Sequence, residues 1–173
     1  MAIIFNVHAI PRKVFEYDPI LPCARSKRDI EKIKNKIKAH LYSNCSYIPD
    51  IKLTLDDRDY LLSNKICTLY GEEVFIVGKA QMILQAGYPY NKTFVLEHYD
   101  LTRYDSTDFN NEIPEYFLPI ILSYQLLYGI DVILYIQYRD TELIKNFHYD
   151  TQSILEMIDN IKIYIMREYN NLC

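Results

Sequence analysis

Residues 113–138 read Ile-Pro-Glu-Tyr-Phe-Leu-Pro-Ile-Ile-Leu-Ser-Tyr-Gln-Leu-Leu-Tyr-Gly-Ile-Asp-Val-Ile-Leu-Tyr-Ile-Gln-Tyr, and this stretch decides the fold class. Glu115 is the single charge between positions 113 and 128, and apolar side chains fall on nearly every side, the pattern of a helix buried all round. Gly129 follows, and glycine takes the left-handed conformation that closes a helix without a Cβ clash. Residues 131–138 then form a near-continuous apolar run of strand length, which predicts an interior strand covered on both faces.

Toward the C-terminus, Ile154, Ile158, Ile161, Ile165 and Tyr169 recur at three or four residues while Glu156, Asp159, Lys162 and Arg167 occupy the other face. That spacing predicts a long amphipathic helix over about 151–169, with Asp150, Thr151 or Ser153 as its cap. Toward the N-terminus, the β-branched and aromatic run 2–10 reads as a strand stopped by Pro11. After a proline-broken connection, Ser26-x-x-Asp29 opens a helix whose face is Ile30, Ile33, Ile37 and Leu41. Strict alternation over 51–55 predicts a strand, and Asp56-Asp57-Arg58-Asp59 reads as the acidic first turn of a short helix through Leu62. Segments 65–70 and 74–77 flank Gly71 as a hairpin, 78–86 fits strand or helix equally, and 93–99 reads as a strand after the turn 87–91. Strands and helices do not alternate regularly, so the expected fold is α+β: one compact domain over 1–173, a mostly antiparallel sheet packed by the 113–128 helix and the C-terminal helix.

Composition narrows the function classes. The chain has 173 residues, 50% hydrophobic and 24% charged, enough for one core without disulfide or metal support. The apolar stretch 116–130 is broken by Pro119, Ser123 and Gln125 and falls short of the ~20 residues that span a bilayer. No signal peptide opens the chain, which makes the cytoplasm the expected compartment. The four cysteines, Cys23, Cys45, Cys67 and Cys173, form no CxxC pair and read as reduced thiols. With only 4 glycines there is little material for a phosphate-cradling loop. No cofactor is implied.

Catalytic patterns are incomplete. Cys23 stands among Arg25, Lys27 and Arg28, a setting that lowers a thiol pKa, but Pro22 and Asp29 replace the His and Arg of a phosphatase loop. Pro49-Asp50-Ile51-Lys52 resembles part of the Pro-Asp…(Asp/Glu)-x-Lys pattern of metal-dependent nucleases, yet Asp50 would have to serve as both acids. Asp56, Asp57 and Asp59 could collect a hard cation, although a helix N-terminus explains them equally. His8, His40, His98 and His148 lack metal-ligand spacing, so an enzyme would need a site assembled from distant residues.

Charge is more informative. The net charge is −4, but residues 25–38 alone carry +5, leaving −9 elsewhere. Those lysines could meet nucleic acid or an anionic surface, though a solvated helix face accounts for them as well. In the opposite sense, residues 97–115 carry −5, with Glu97, Asp100, Asp105, Asp108, Glu112 and Glu115 against Arg103 and with Tyr99, Tyr104, Phe109 and Tyr116 interleaved. Acids and tyrosines on a loop suit a basic protein partner. The expected site is therefore Glu97, Tyr99, Asp100, Tyr104, Asp105, Asp108 and Glu112, on a non-enzymatic module that binds a basic protein. Small acidic immunity and antitoxin proteins, which neutralise toxins such as nucleases, are similar in this general type.

Overall fold

The computed structural model describes residues 2–18, 24–25, 30–43 and 45–171. The first strand, β1 (Ala2–Asn6), stops earlier than its composition suggests, because Asn6 Oδ1 accepts from the His8 N–H at 3.0 Å and turns the chain into a 3₁₀ turn. Helix α1 (Ile10–Lys13) follows, with Pro11 in its first turn, where proline's missing N–H leaves no bond unmade. After the two-residue strand β2 (Ala24–Arg25) comes α2 (Ile30–Ser43), which buries the expected stripe of Ile33, Ile37 and Leu41. Cys23 and the proposed Ser26-x-x-Asp29 start lie outside the described residues.

Strand β3 (Ile51–Leu55) forms as the alternation demands, but no helix follows it. The Asp56 carboxylate, expected in the acidic first turn of that helix, is instead drawn inward, where Tyr128 Oη donates to Oδ2 at 2.5 Å. The hairpin is β4 (Leu62–Leu69) and β5 (Glu72–Gly78), joined through Tyr70 and Gly71, both at positive φ, the geometry of a two-residue turn. The ambiguous segment resolves as β6 (Met82–Ala86), and β7 (Lys92–Leu101) extends the next expected strand at both ends.

Pro119 fits only in a first turn, so the central helix begins as a 3₁₀ turn at Glu115–Phe117 and becomes α3 over Leu118–Tyr128. Gly129 closes it at φ 66°. Strand β8 (Val132–Tyr138) is interior as expected, and β9 (Glu142–Phe147), which the sequence reading did not anticipate, completes a hairpin with it. The last helix, α4 (Thr151–Asn171), is capped by Asp150, whose carboxylate accepts from the Ser153 N–H and hydroxyl.

The strands form two mixed sheets, β1-β5-β4 and β3-β6-β7-β8-β9 with β2 against the end of β7, and most of the pairings are antiparallel. The exceptions are the parallel pairs β1 with β5 and β7 with β8, the latter joined through α3. Alternation along β8 explains its continuous apolar run. Ile133 and Tyr135 pack with α2 residues Ile37 and Leu41, while Val132, Leu134 and Ile136 join Ile120, Tyr124 and Ile161 between the larger sheet and the smaller one. Among the described residues no helix is long and apolar enough to cross a membrane.

The smaller sheet is held close by Gly78. A Cβ there would stand 2.5 Å from Val7 Cγ2 and 3.4 Å from Leu127 Cδ1. Gly78→Ala should destabilise the fold by ~1–3 kcal/mol in urea unfolding, and the penalty should shrink when Val7→Ala makes room, which a double-mutant cycle measures.

A second lock is electrostatic. Asp131, 9% exposed at the start of β8, accepts from the Tyr149 N–H at 2.7 Å, His148 Nδ1 at 3.0 Å and Lys92 Nζ at 3.2 Å. Burial alone would raise its pKa, but these donors together hold it below the usual carboxylate value. A carboxylate depressed in the folded state stabilises above its unfolded pKa and loses that contribution as pH falls through the folded one. Asp131→Asn should thus lower the Tm at neutral pH, and below about pH 5 its Tm should fall less steeply than wild type.

Candidate functional site

Two of the expected contact residues are not on the surface. Glu97 and Tyr99 sit mid-strand on β7, each 1% exposed, because β7 is flanked by β6 and β8 and covered on that face by α3. This corrects their assignment to an exposed binding face. Glu97 Oε1 accepts from the Gln81 N–H at 2.6 Å and Oε2 from Tyr99 Oη at 3.0 Å.

They belong to a buried polar network that the sequence did not reveal, built where the chain crosses from β5 to β6. Tyr128 Oη donates to Asp56 and accepts from the Ala80 N–H at 2.8 Å; desolvation and the Asp56 carboxylate push its pKa up. Gln81 Oε1 accepts from the His98 N–H at 2.9 Å, and the Gln81 carbonyl from the Asp56 N–H at 3.1 Å. Tyr124 Oη donates to the Lys79 carbonyl at 3.0 Å, so the 3.0 Å contact with His8 Nε2 has the imidazole as donor. Asp56 and Glu97 thus already serve as acceptors, and Asp56 Oδ1 also lies 3.5 Å from Arg58 Nε. Among the described residues no three His, Cys, Asp or Glu side chains gather where they could share a cation. Asp57 and Asp59 are exposed beside Asp56, and Asp50 and Lys52 are exposed on or next to the edge strand β3.

Of the other five expected residues, Asp100 lies near the C-terminal end of β7 and the remaining four follow it. Asp100 Oδ1 accepts from the Thr102 N–H, and Tyr104 packs edge-on against Phe109. Asp105 and Asp108 form a capping box around the 3₁₀ turn Ser106–Phe109, and Asp140 accepts from the Ser106 hydroxyl and N–H at 2.7 and 2.8 Å, which lowers its pKa. Arg139 Nε stands 3.5 Å from Asp105. Much of the acidity that read as a binding surface therefore folds the loop.

Glu112 does face an open site. It and Glu115 line a 420 Å³ depression with Ile113, Leu118, Leu143 and Phe147. Leu118, 39% exposed at the start of α3, is shared with two adjoining cavities. One, of 360 Å³, runs between α3 and β9 past Gln125, His148 and Asp150; the other, of 230 Å³, reaches α4 at Met157 and Glu156. The result is one groove with a floor of leucine and phenylalanine and a rim bearing Glu112, Glu115, Asp150 and Glu156 against Lys145, whose ammonium lies 5.4 Å from the Phe147 ring centre. The Glu115 charge also adds to the desolvation that raises the Tyr17 phenol at the groove's far end.

No family model matches the chain, and no curated protein matches it in sequence. Solved structures do share its fold. SSO0001 is similar at TM-score 0.57 and 15% identity, covering 94% of this chain and 75% of that one. LHK-Exo in complex with dAMP is similar at TM-score 0.51 and 8% identity, covering 98% and 89%. A further structure of LHK-Exo, an alkaline exonuclease from Laribacter hongkongensis, gives TM-score 0.48 at 7% identity over 96% and 88%. At these identities the likeness extends to the fold.

Because Asp140 fastens the acidic loop through Ser106, Asp140→Ala should release it. Limited tryptic digestion should then cleave after the exposed Arg103 faster than in wild type, with the circular dichroism of the core unchanged.

Proposed function

We propose that the chain is a non-enzymatic module that binds another protein, holding an apolar, positively charged segment in the groove around Leu118. The observation that carries this reading is the groove's chemistry: an apolar floor that gains by excluding water, and a rim of Glu112, Glu115, Asp150 and Glu156 facing Lys145. Beside it β9 ends the larger sheet, with no strand among the described residues on its outer side. A partner segment could add there as a further strand while its side chains enter the groove. The occupied carboxylates of Asp56 and Glu97 support a binding role over metal-dependent chemistry. The finer form, an immunity or antitoxin-type inhibitor of a basic toxin such as a nuclease, rests on charge alone.

A second reading is contact with nucleic acid. It is favoured by the fold shared with LHK-Exo, whose structure holds dAMP, and by Lys32, Lys34, Lys36 and Lys38 along α2. Lys36 is already engaged, pairing with Glu142 at 2.8 Å.

Affinity capture at low and high salt, with the neighbouring reading frames co-expressed, separates the two. A basic polypeptide should be retained and should bind at least about tenfold more weakly to the Glu112→Lys/Glu115→Lys variant, because apposed like charges cost several kcal/mol. Retention indifferent to that reversal sinks the groove as the binding face. Retention of nucleic acid, lost on removing the α2 lysines and steeply salt-dependent, moves the function to the second reading.

A further inference from the structure

Helix α4 buries one face through Ile154, Met157, Ile158, Ile161 and Ile165, and it carries a second apolar stripe on the side turned to solvent. Leu155 is 51% exposed, Ile163 59% and Met166 38%. At about 3.6 residues per turn, Leu155, Asp159, Lys162 and Met166 fall within roughly 60° of arc, and Ile163 stands beside them. Asp159 and Lys162 pair at 2.8 Å in the middle of this stripe, between its apolar ends. The core face of α4 is already complete without these side chains, so their packing within the chain does not account for them.

Along the stripe the order is apolar, acid, base, apolar, and a helix laid antiparallel on its own copy meets that order in reverse. With a two-fold axis passing between Asn160 and Ile161, Leu155 comes opposite the second copy's Met166, and Asp159 opposite the second copy's Lys162. Each contact then occurs twice, as a two-fold interface requires. Ile163 comes level with the stretch between Leu155 and Asp159 of the second copy. A parallel pairing would instead set Asp159 on Asp159 and Lys162 on Lys162, which like-charge repulsion opposes. A foreign helix would have to carry both the apolar ends and the charges in matching order, whereas α4 carries its own complement. We propose that α4 is a homodimerisation surface, its 155–166 stripe packing antiparallel against the same stripe of a second copy of this chain. The central charges set direction and register more than affinity. A contact confined to one helix falls below the ~1,200 Å² at which stable interfaces begin, so the dimer is weak and forms with rising concentration.

Sedimentation velocity of the whole chain, from micromolar to millimolar concentration, tests this. The weight-average sedimentation coefficient should climb from that of a 20.6 kDa monomer toward that of a dimer. Asp159→Lys and Lys162→Asp should each weaken self-association by at least about tenfold, because each sets like charges opposite one another at both ends of the two-fold. The double variant Asp159→Lys/Lys162→Asp regains the complement with its signs exchanged and should dimerise within about threefold of wild type. An equimolar mixture of the single variants should also associate, since one then brings only lysines and the other only aspartates to the centre of the stripe. Neither side chain is buried, so the circular dichroism of all variants should match wild type. A wild type that stays monomeric at millimolar concentration overturns the proposal. So does a dimer indifferent to the single reversals, which places the contact on another face, or a double variant as weak as the singles, which excludes the antiparallel register.

Discussion

Two tyrosine hydroxyls on one face of α3 hold the two sheets in register. Tyr124 and Tyr128 stand one helical turn apart and reach the crossing segment at the Lys79 carbonyl and the Ala80 N–H, where the chain leaves the small sheet for the large one. That crossing is buried, so its peptide groups need protein partners. Only a side chain with an apolar body and a polar tip can both fill the space between sheets and supply them. The demand spreads from there: Tyr128 draws Asp56 out of the helix start it would otherwise have made, and Gln81 engages Glu97 and the backbone of His98. In a chain without tryptophan, part of its rich tyrosine content serves this purpose.

The other end of α3 is free of that duty. Its hydroxyl-bearing C-terminal half is sealed against the crossing, while its first turn, broken by Pro119 and led by Leu118, stands at the C-terminal ends of the parallel strands β7 and β8. The loop of Asp105, Asp108 and Asp140 is fastened to itself, and the Leu118 groove runs from that end along α3 and β9. The fold is shared with LHK-Exo, but a fold does not fix a function, which depends on the residues that it brings together.

Glu97 and Tyr99 on the central strand illustrate that division. Glu97 reads as a charge and Tyr99 as an interface residue, but a strand flanked by two others and covered by a helix turns both into core groups whose polar atoms satisfy each other. Glu112, by contrast, lies past the end of the sheet, where no neighbour covers it, and it lines the groove.

The sequence by itself determined the elements whose hydrophobic period is strong: the buried helix closed by Gly129, the interior strand after it, the α2 stripe of Ile33, Ile37 and Leu41, the amphipathic α4 and thus the α+β class. These follow from local rules, because a repeated apolar face specifies both a secondary structure and the side that must be buried. Strand β9 escaped because Glu142, Lys145 and Asn146 interrupt its pattern; pairing with β8 and packing against α2, not its own composition, make it a strand. The placement of Asp56 and Glu97, the parallel pairings and the groove were decided only in the tertiary structure. Each depends on which distant element lies opposite, and a charge has the same letter whether it faces water or a buried tyrosine hydroxyl.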